Sequence, residues 1–184
     1  MKTVVLVHGF NVKDGGEDTI DMMKDFLVPD FNVVEADYGH LGLFGVRMCG
    51  KNIARMIASM TPSGAVGIGH SNGCMELVRA VEFGAPFKHL ILINPALDKD
   101  YEFPESLERI DILHNVDDNV VRVSKFLIGH RWGGMGRVGY QGSDIRAFNH
   151  ETKALWNVSG HSAVFSVPFE LTSYVFGLVS LGPS

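Results

Sequence analysis

Apolar and polar positions alternate between two periods along this chain. Thr3-Val4-Val5-Leu6-Val7 is a short β-branched run, the length of a buried strand. Asp18 to Leu27 changes period: Ile20, Met23 and Leu27 share one helical face behind an acidic start. Asn32 to Ala36 is a second strand. Arg47 to Met60 is a second helix, with Ile53, Met56, Ile57 and Met60 in register. Thr61-Pro62-Ser63-Gly64 ends it. Ala65-Val66-Gly67-Ile68 is a third strand, and Cys74, Leu77, Val78 and Val81 carry the next helix to Gly84-Ala85-Pro86. Lys88 to Asn94 and Ile110 to His114 are further strands. A last helix starts at Ser166-Val167-Pro168, with Leu171, Tyr174, Val175 and Leu178 on its face. Apolar strands alternating with helices predict an α/β fold: a three-layer α/β/α sandwich around a mostly parallel sheet of about six strands.

Two stretches break the alternation. Pro95 to Arg109 is short, acidic and interrupted by Pro104, so at most a short helix fits there. Gly129 to Ser143 is rich in glycine and arginine, with Trp132 and Tyr140, and reads as a loop excursion. It contains Gly134-Met135-Gly136-Arg137-Val138-Gly139, a G-x-G-x-x-G. That pattern cradles a dinucleotide only between a strand and a helix, and no helical period follows it here. We read it as a wall of a site or a surface loop.

The chain's 184 residues are expected to form one domain, residues 1–184, with no separate cap. A net charge of −5 argues against a nucleic-acid partner. No apolar run approaches the ~18 residues of a membrane span, and the first run is too short for a signal sequence, so the expected location is cytoplasmic. Cys49 and Cys74 lack metal-ligand spacing and read as buried thiols in helices. His114 with Asp117 and Asp118 lacks a third ligand of convincing spacing, so no metal and no cofactor are expected.

The chemistry concentrates at Gly69-His70-Ser71-Asn72-Gly73. This G-x-S-x-G lies between a predicted strand and a predicted helix, the setting of a nucleophile elbow. A serine hydroxyl needs a base, and the base an orienting acid. His114-Asn115-Val116-Asp117-Asp118 places carboxylates just past a strand end. Ser159-Gly160-His161-Ser162 is a small-residue turn before the last helix, and makes His161 the expected base. His150, in the polar stretch Asn149-His150-Glu151, is the rival and reads as a surface residue.

These segments together resemble the α/β-hydrolase superfamily over nearly the whole chain. Val4-Val5-Leu6-Val7-His8-Gly9-Phe10 resembles its strand ending in His-Gly. Leu113-His114-Asn115-Val116-Asp117-Asp118-Asn119-Val120-Val121 resembles its acid segment, and Gly160-His161-Ser162 its histidine loop. Asn115 stands where the family usually has glycine, and Arg122 where proline is common. The family's first two strands are missing, which implies a minimal version of the fold. The resemblance implies Ser71 as nucleophile, Asp118 as acid (Asp117 being the alternative) and His161 as base. It places the oxyanion hole at the amides of Phe10 and Asn72. The expected reaction is hydrolysis of a carboxylic ester in a small-molecule or acylated substrate. Thioester, lipid or amide substrates use the same chemistry, and a non-catalytic interaction module is the alternative of another class. Leu43, Phe44 and Trp132 are candidate substrate contacts. The Leu41–Gly45 stretch either lines an acyl pocket or starts a core-facing helix.

Overall fold

The computed structural model describes residues 1–9, 18–39, 43–119 and 133–182, with backbone alone for 43–47. Its centre is a six-stranded, wholly parallel sheet in the order β2-β1-β3-β4-β5-β6. The strands are β1 (Thr3–Val7), β2 (Asn32–Glu35), β3 (Val66–His70), β4 (His89–Ile93), β5 (Arg109–His114) and β6 (Ala147–Glu151). The helices are α1 (Lys24–Leu27), α2 (Leu43–Met60), α3 (Asn72–Glu82), α4 (Met135–Val138), α5 (Thr152–Trp156) and α6 (Pro168–Leu181). The expected three-layer α/β/α arrangement is what forms.

Strand periodicity divides the core. Val5, Val7, Leu90, Leu92, Ile110 and Ile112 face Ile53, Ile57, Leu77 and Val78 of α2 and α3. Val4, Leu6, Val66, Ile68, Ile91 and Leu113 face the other layer, with Ile20, Met23, Leu171 and Val175. Central strands are therefore apolar on both faces, which is why β1 and β4 read as continuous hydrophobic runs. The strand order reverses between β1 and β3, and ligand crevices of open α/β sheets form at such a point. His8-Gly9 and Ser71 emerge there side by side: a Cβ built on Gly9 would lie 3.3 Å from Ser71 Cβ.

Four elements differ from the sequence expectation. β6 was not foreseen, because its alternating AFNHE pattern belongs to a half-exposed edge strand rather than a buried one. Asp18 to Leu27 divides into a 3-10 turn, Ile20–Met23, and the single α-helical turn of α1. α2 begins at Leu43, four residues before its apolar periodicity, so Leu43–Gly45 is a helix start. The glycine-rich excursion contains α4. There Met135 is fully buried, and a Cβ on Gly133 or Gly136 would strike the backbone of Leu97 or Asn94. Those glycines admit close backbone contact with the segment after β4, where Met135 N donates to Leu97 O and Gly136 N to Pro95 O. Packing accounts for them without a nucleotide.

Residues 95–108 form turns and no helix. Phe103 and Leu107 anchor this segment in the core. Its carbonyls converge on one guanidinium: Arg146 donates to Pro104 O (3.1 Å), Glu105 O (3.1 Å) and Leu107 O (2.7 Å), while Asp144 holds the guanidinium from behind at 2.6 Å. Charge-assisted bonds of this kind contribute more than neutral ones. Arg146→Ala is therefore expected to lower the unfolding free energy by about 2 kcal/mol, read from the urea midpoint. Arg146→Lys recovers only part of it, because an ammonium cannot reproduce the planar fork.

Asp111 lies buried in β5 beneath α6. It accepts from His89 Nε2 (2.6 Å), Arg109 Nε (2.6 Å) and His150 Nε2 (2.8 Å), and the Tyr174 hydroxyl donates to His150 Nδ1 at 2.7 Å. Burial raises the carboxyl's proton affinity, but these three donors together outweigh it and hold Asp111 well below the usual carboxylate range. His150, read from sequence as a surface residue, is instead largely buried, and with His89 it belongs to an ionic cluster around Asp111. Cys49 and Cys74 are both free thiols; Cys74 is buried as expected, whereas Cys49 is only half-buried. Among the described residues no helix is long and apolar enough to cross a membrane.

Candidate active site

Ser71 is the one residue between β3 and α3, and its backbone carries the strain of that reversal (φ 55°, ψ −118°). Conformations of this kind cost about 1–3 kcal/mol and persist only where their surroundings fix them. Here Ser71 N donates to Ile93 O (2.9 Å), and Ser71 O accepts from Cys74 N and Ala96 N (3.2 Å each). The flanking glycines are required by contact. A Cβ on Gly73 would fall 2.3 Å from Val7 O, and one on Gly69 would fall 2.9 Å from Cys74 N. α3 can therefore start directly against the sheet, with the serine above it.

The Ser71 hydroxyl lies 2.8 Å from His161 Nε2, and His161 Nδ1 lies 2.7 Å from Asp118 Oδ2. A carboxylate accepts, so Nδ1 carries the proton and Nε2 is left to accept from the serine. Asp118 is fully buried and Ser71 nearly so, while the His161 side chain keeps 12% of its surface exposed. Asp117 points elsewhere. It is half-buried and bound by Lys153 Nζ and the Ser159 hydroxyl, both at 2.7 Å, which hold its carboxyl below the usual range. His150 is tied to Asp111 and Tyr174 and makes no contact with the Ser71 group.

His70 packs its ring 5.1 Å from that of His161 and edge-on to Phe165 at 4.8 Å. Burial, with the neighbouring His161, pushes its pKa down to about 3. The ring is therefore neutral at ordinary pH and sets no second positive charge beside His161.

Asn72 is the first residue of α3, where backbone N–H groups have no partner one turn earlier. Its side chain reaches Glu76 Oε1 at 3.5 Å. Glu76 is fully buried beside Arg79, and burial raises its pKa to about 7. Across the crevice the His8-Gly9 turn is clamped by Tyr38. Its hydroxyl lies 2.7 Å from His8 O and 2.8 Å from Gly9 O, and its ring stacks 4.1 Å from that of His8. Phe10 and Trp132 lie outside the described residues, as do the side chains of Leu43 and Phe44. Sequence reasoning passed over Tyr38 and Asn94. Asn94 adopts φ 44° at the end of β4 and donates through Nδ2 to the His161 carbonyl. Neither position carries a motif of its own. Among the described residues no three His, Cys, Asp or Glu side chains are grouped to hold a metal ion.

No family model matches this chain, and no curated protein matches it in sequence. Solved structures do match it in shape. A putative hydrolase of the α/β superfamily from Xanthomonas campestris pv. campestris superposes with a TM-score of 0.57 at 17% identity, over 98% of this chain and 100% of that one. A hydrolase from Oleispira antarctica gives 0.64 at 11% identity, over 98% and 92%. An esterase from Pyrococcus furiosus gives 0.60 at 14% identity, over 100% and 82%. The chain has the α/β-hydrolase fold.

Proposed function

We propose that this protein is a serine hydrolase that cleaves carboxylic esters through an acyl-enzyme. The observation that carries the reading is the continuous hydrogen-bonded path from buried Asp118 through His161 to Ser71, at the crevice of an α/β-hydrolase fold. That fold is shared with proteins described as hydrolases and with an esterase from Pyrococcus furiosus.

In this reading Ser71 Oγ attacks the acyl carbon while its proton passes to His161 Nε2. Asp118 keeps Nδ1 protonated and stabilises the imidazolium that forms. The carbonyl oxygen gains negative charge and takes hydrogen bonds from the backbone N–H groups of Asn72 and Phe10. His161 returns the proton to the leaving alkoxide, the alcohol departs, and the acyl group remains on Ser71. Water then attacks this ester with His161 as base, releasing the carboxylic acid and restoring the serine. Leu43, Phe44 and Trp132 are assigned as substrate contacts.

Labelling with a fluorophosphonate probe, followed by peptide mass spectrometry, tests the nucleophile. A single adduct on Ser71 is expected; folded protein that emerges unlabelled there removes the proposal. Asp117→Asn is expected to keep the labelling rate within about twofold of the parent. Among the described residues its carboxylate bonds to the exposed Lys153 and Ser159, and changes at such sites usually have small effects.

A further inference from the structure

The His161 loop has no regular secondary structure between α5 and the 3-10 turn Ala163–Ser166. It runs through two positive-φ residues, Asn157 (55°) and Gly160 (122°). Such a segment holds an imidazole at fixed distances only if its backbone is tied to something rigid. Two fully buried carboxamides provide the ties, each placed just after the C-terminal end of a central strand: Asn94 after β4 and Asn115 after β5.

Asn115 joins two parts of the site. Its Nδ2 donates to Val158 O and also lies 2.9 Å from Thr152 Oγ1. Its Oδ1 accepts from Asp117 N at 3.0 Å and lies 3.5 Å from Gly160 N. Its backbone carbonyl accepts from Asp118 N at 2.9 Å. One residue thus shapes the turn that presents Asp118 and grips the loop that presents His161. Asn94 grips the same loop three residues after Val158, at the carbonyl of His161 itself. Its own backbone is fixed by Asn94 N donating to Leu113 O at 2.8 Å. Asn115 is also the position where the chain departs from the glycine of the acid segment it resembles. A glycine there could make none of the side-chain bonds.

We infer that Asn94 and Asn115 are positioning residues that set the place of the His161 imidazole between Asp118 and Ser71. The inference rests on the reading of Ser71 as nucleophile and His161 as base. A misplacement of about 1 Å in such a site costs on the order of 100-fold in rate. Binding determinants are not touched, so the loss falls on the chemical step.

The test measures fluorophosphonate labelling of Ser71 against probe concentration in the parent, Asn94→Gly, Asn115→Ala and Thr152→Val. Asn94→Gly suits the positive φ and deletes only the grip. Thr152→Val removes the bond of Asn115 that does not reach the loop, together with the bond that the Thr152 hydroxyl donates to His114 O. Asn94→Gly and Asn115→Ala are expected to lower the limiting rate about 30- to 100-fold with the half-saturating concentration unchanged. Thr152→Val is expected to keep the parent rate. The downfield proton resonance of the His161–Asp118 hydrogen bond should weaken or vanish in both asparagine variants and persist in Thr152→Val. That signal reads position directly, so it decides the matter even if the parent proves unreactive, an outcome that would count against Ser71 alone. If Asn115→Ala does not fold, Asn94→Gly carries the decision. A folded Asn94→Gly protein with the parent's limiting rate and resonance overturns the inference.

Discussion

Asp118→Asn is expected to lower turnover of p-nitrophenyl acetate by about 10⁴-fold while the protein stays folded. The reason lies in which hydrogen each imidazole nitrogen carries. Asp118 Oδ2 accepts from His161 Nδ1 at 2.7 Å, so Nε2 faces the Ser71 hydroxyl as an acceptor. An asparagine of the same shape can turn its amide group towards Nδ1 and donate. The imidazole would then carry its proton on Nε2, pointing at the serine, and could not take another. Geometry survives and the base is lost. The loss should appear in the limiting rate, with little change in KM. The contrast with Asp117→Asn is the informative part, because the two carboxylates are adjacent in sequence and chemically identical. Only burial and direction separate them: Asp118 is fully buried against His161, and Asp117 is half-buried against the exposed Lys153 and Ser159. Equal losses in the two variants, or a larger loss at Asp117, would contradict the assignment.

That contrast also marks how far the sequence reaches. Gly69-His70-Ser71-Asn72-Gly73 was legible because every letter answers a local demand. The strand before it is apolar, the helix after it is periodic, and the two glycines stand where a side chain would strike backbone. β1, β3 and β4 were legible because strands buried on both faces are nearly continuously apolar, and β5 through Ile110, Ile112 and Leu113 despite Asp111. β6 was not, since an edge strand has one neighbour and keeps half its surface in water, leaving a sequence that reads as loop. α4 was hidden by its glycines, which serve contact with Asn94 and Leu97, residues some forty positions away.

The polar interior was the least legible. Asp111, His89 and His150 are ordinary residues in sequence. They become a buried cluster only because the sheet order sets β4, β5 and β6 side by side and α6 brings Tyr174 down upon them. Asn94 and Asn115 are of the same kind, since their partners lie 67 and 43 residues away, at His161 and Val158. Asn115 did leave a trace, as a departure from the pattern of the segment it resembles. An amide where glycine is usual says that a side chain has been given work there, though not which atoms it holds.

These buried polar groups decide the response to acid, where the second large effect is expected. His70, His89 and His114 all have proton affinities lowered chiefly by burial, His70 to about 3. Below about pH 6.5 the unfolded chain takes up protons that the folded chain refuses, so each lowers stability as pH falls. His70 alone amounts to about 1.4 kcal/mol per pH unit, or about 5 kcal/mol by pH 3. Glu76 opposes this. Its carboxyl is raised by burial to about 7, and Asp21, raised chiefly by burial and then by Glu35, reaches about 6. Between their ordinary values near 4 and these raised ones, the folded chain holds protons that the unfolded chain has released, so stability rises as pH falls. From about pH 6 to 4.5 the two carboxyls offset part of the histidines' loss. Below about 4.5 both states protonate Glu76 and the opposition ends. Asp111 adds to the loss there, because the folded protein keeps it ionised while the unfolded chain does not. The urea midpoint should therefore fall more gently between pH 6.5 and 5 than below about 4.5. Glu76→Gln should remove the shoulder, so that the steep fall begins near pH 6.5. His70→Gln should make the acid limb shallower by about one proton. A parent protein that loses stability as steeply between pH 6.5 and 5 as below 4.5 would show that Glu76 and Asp21 do not hold their protons in the fold.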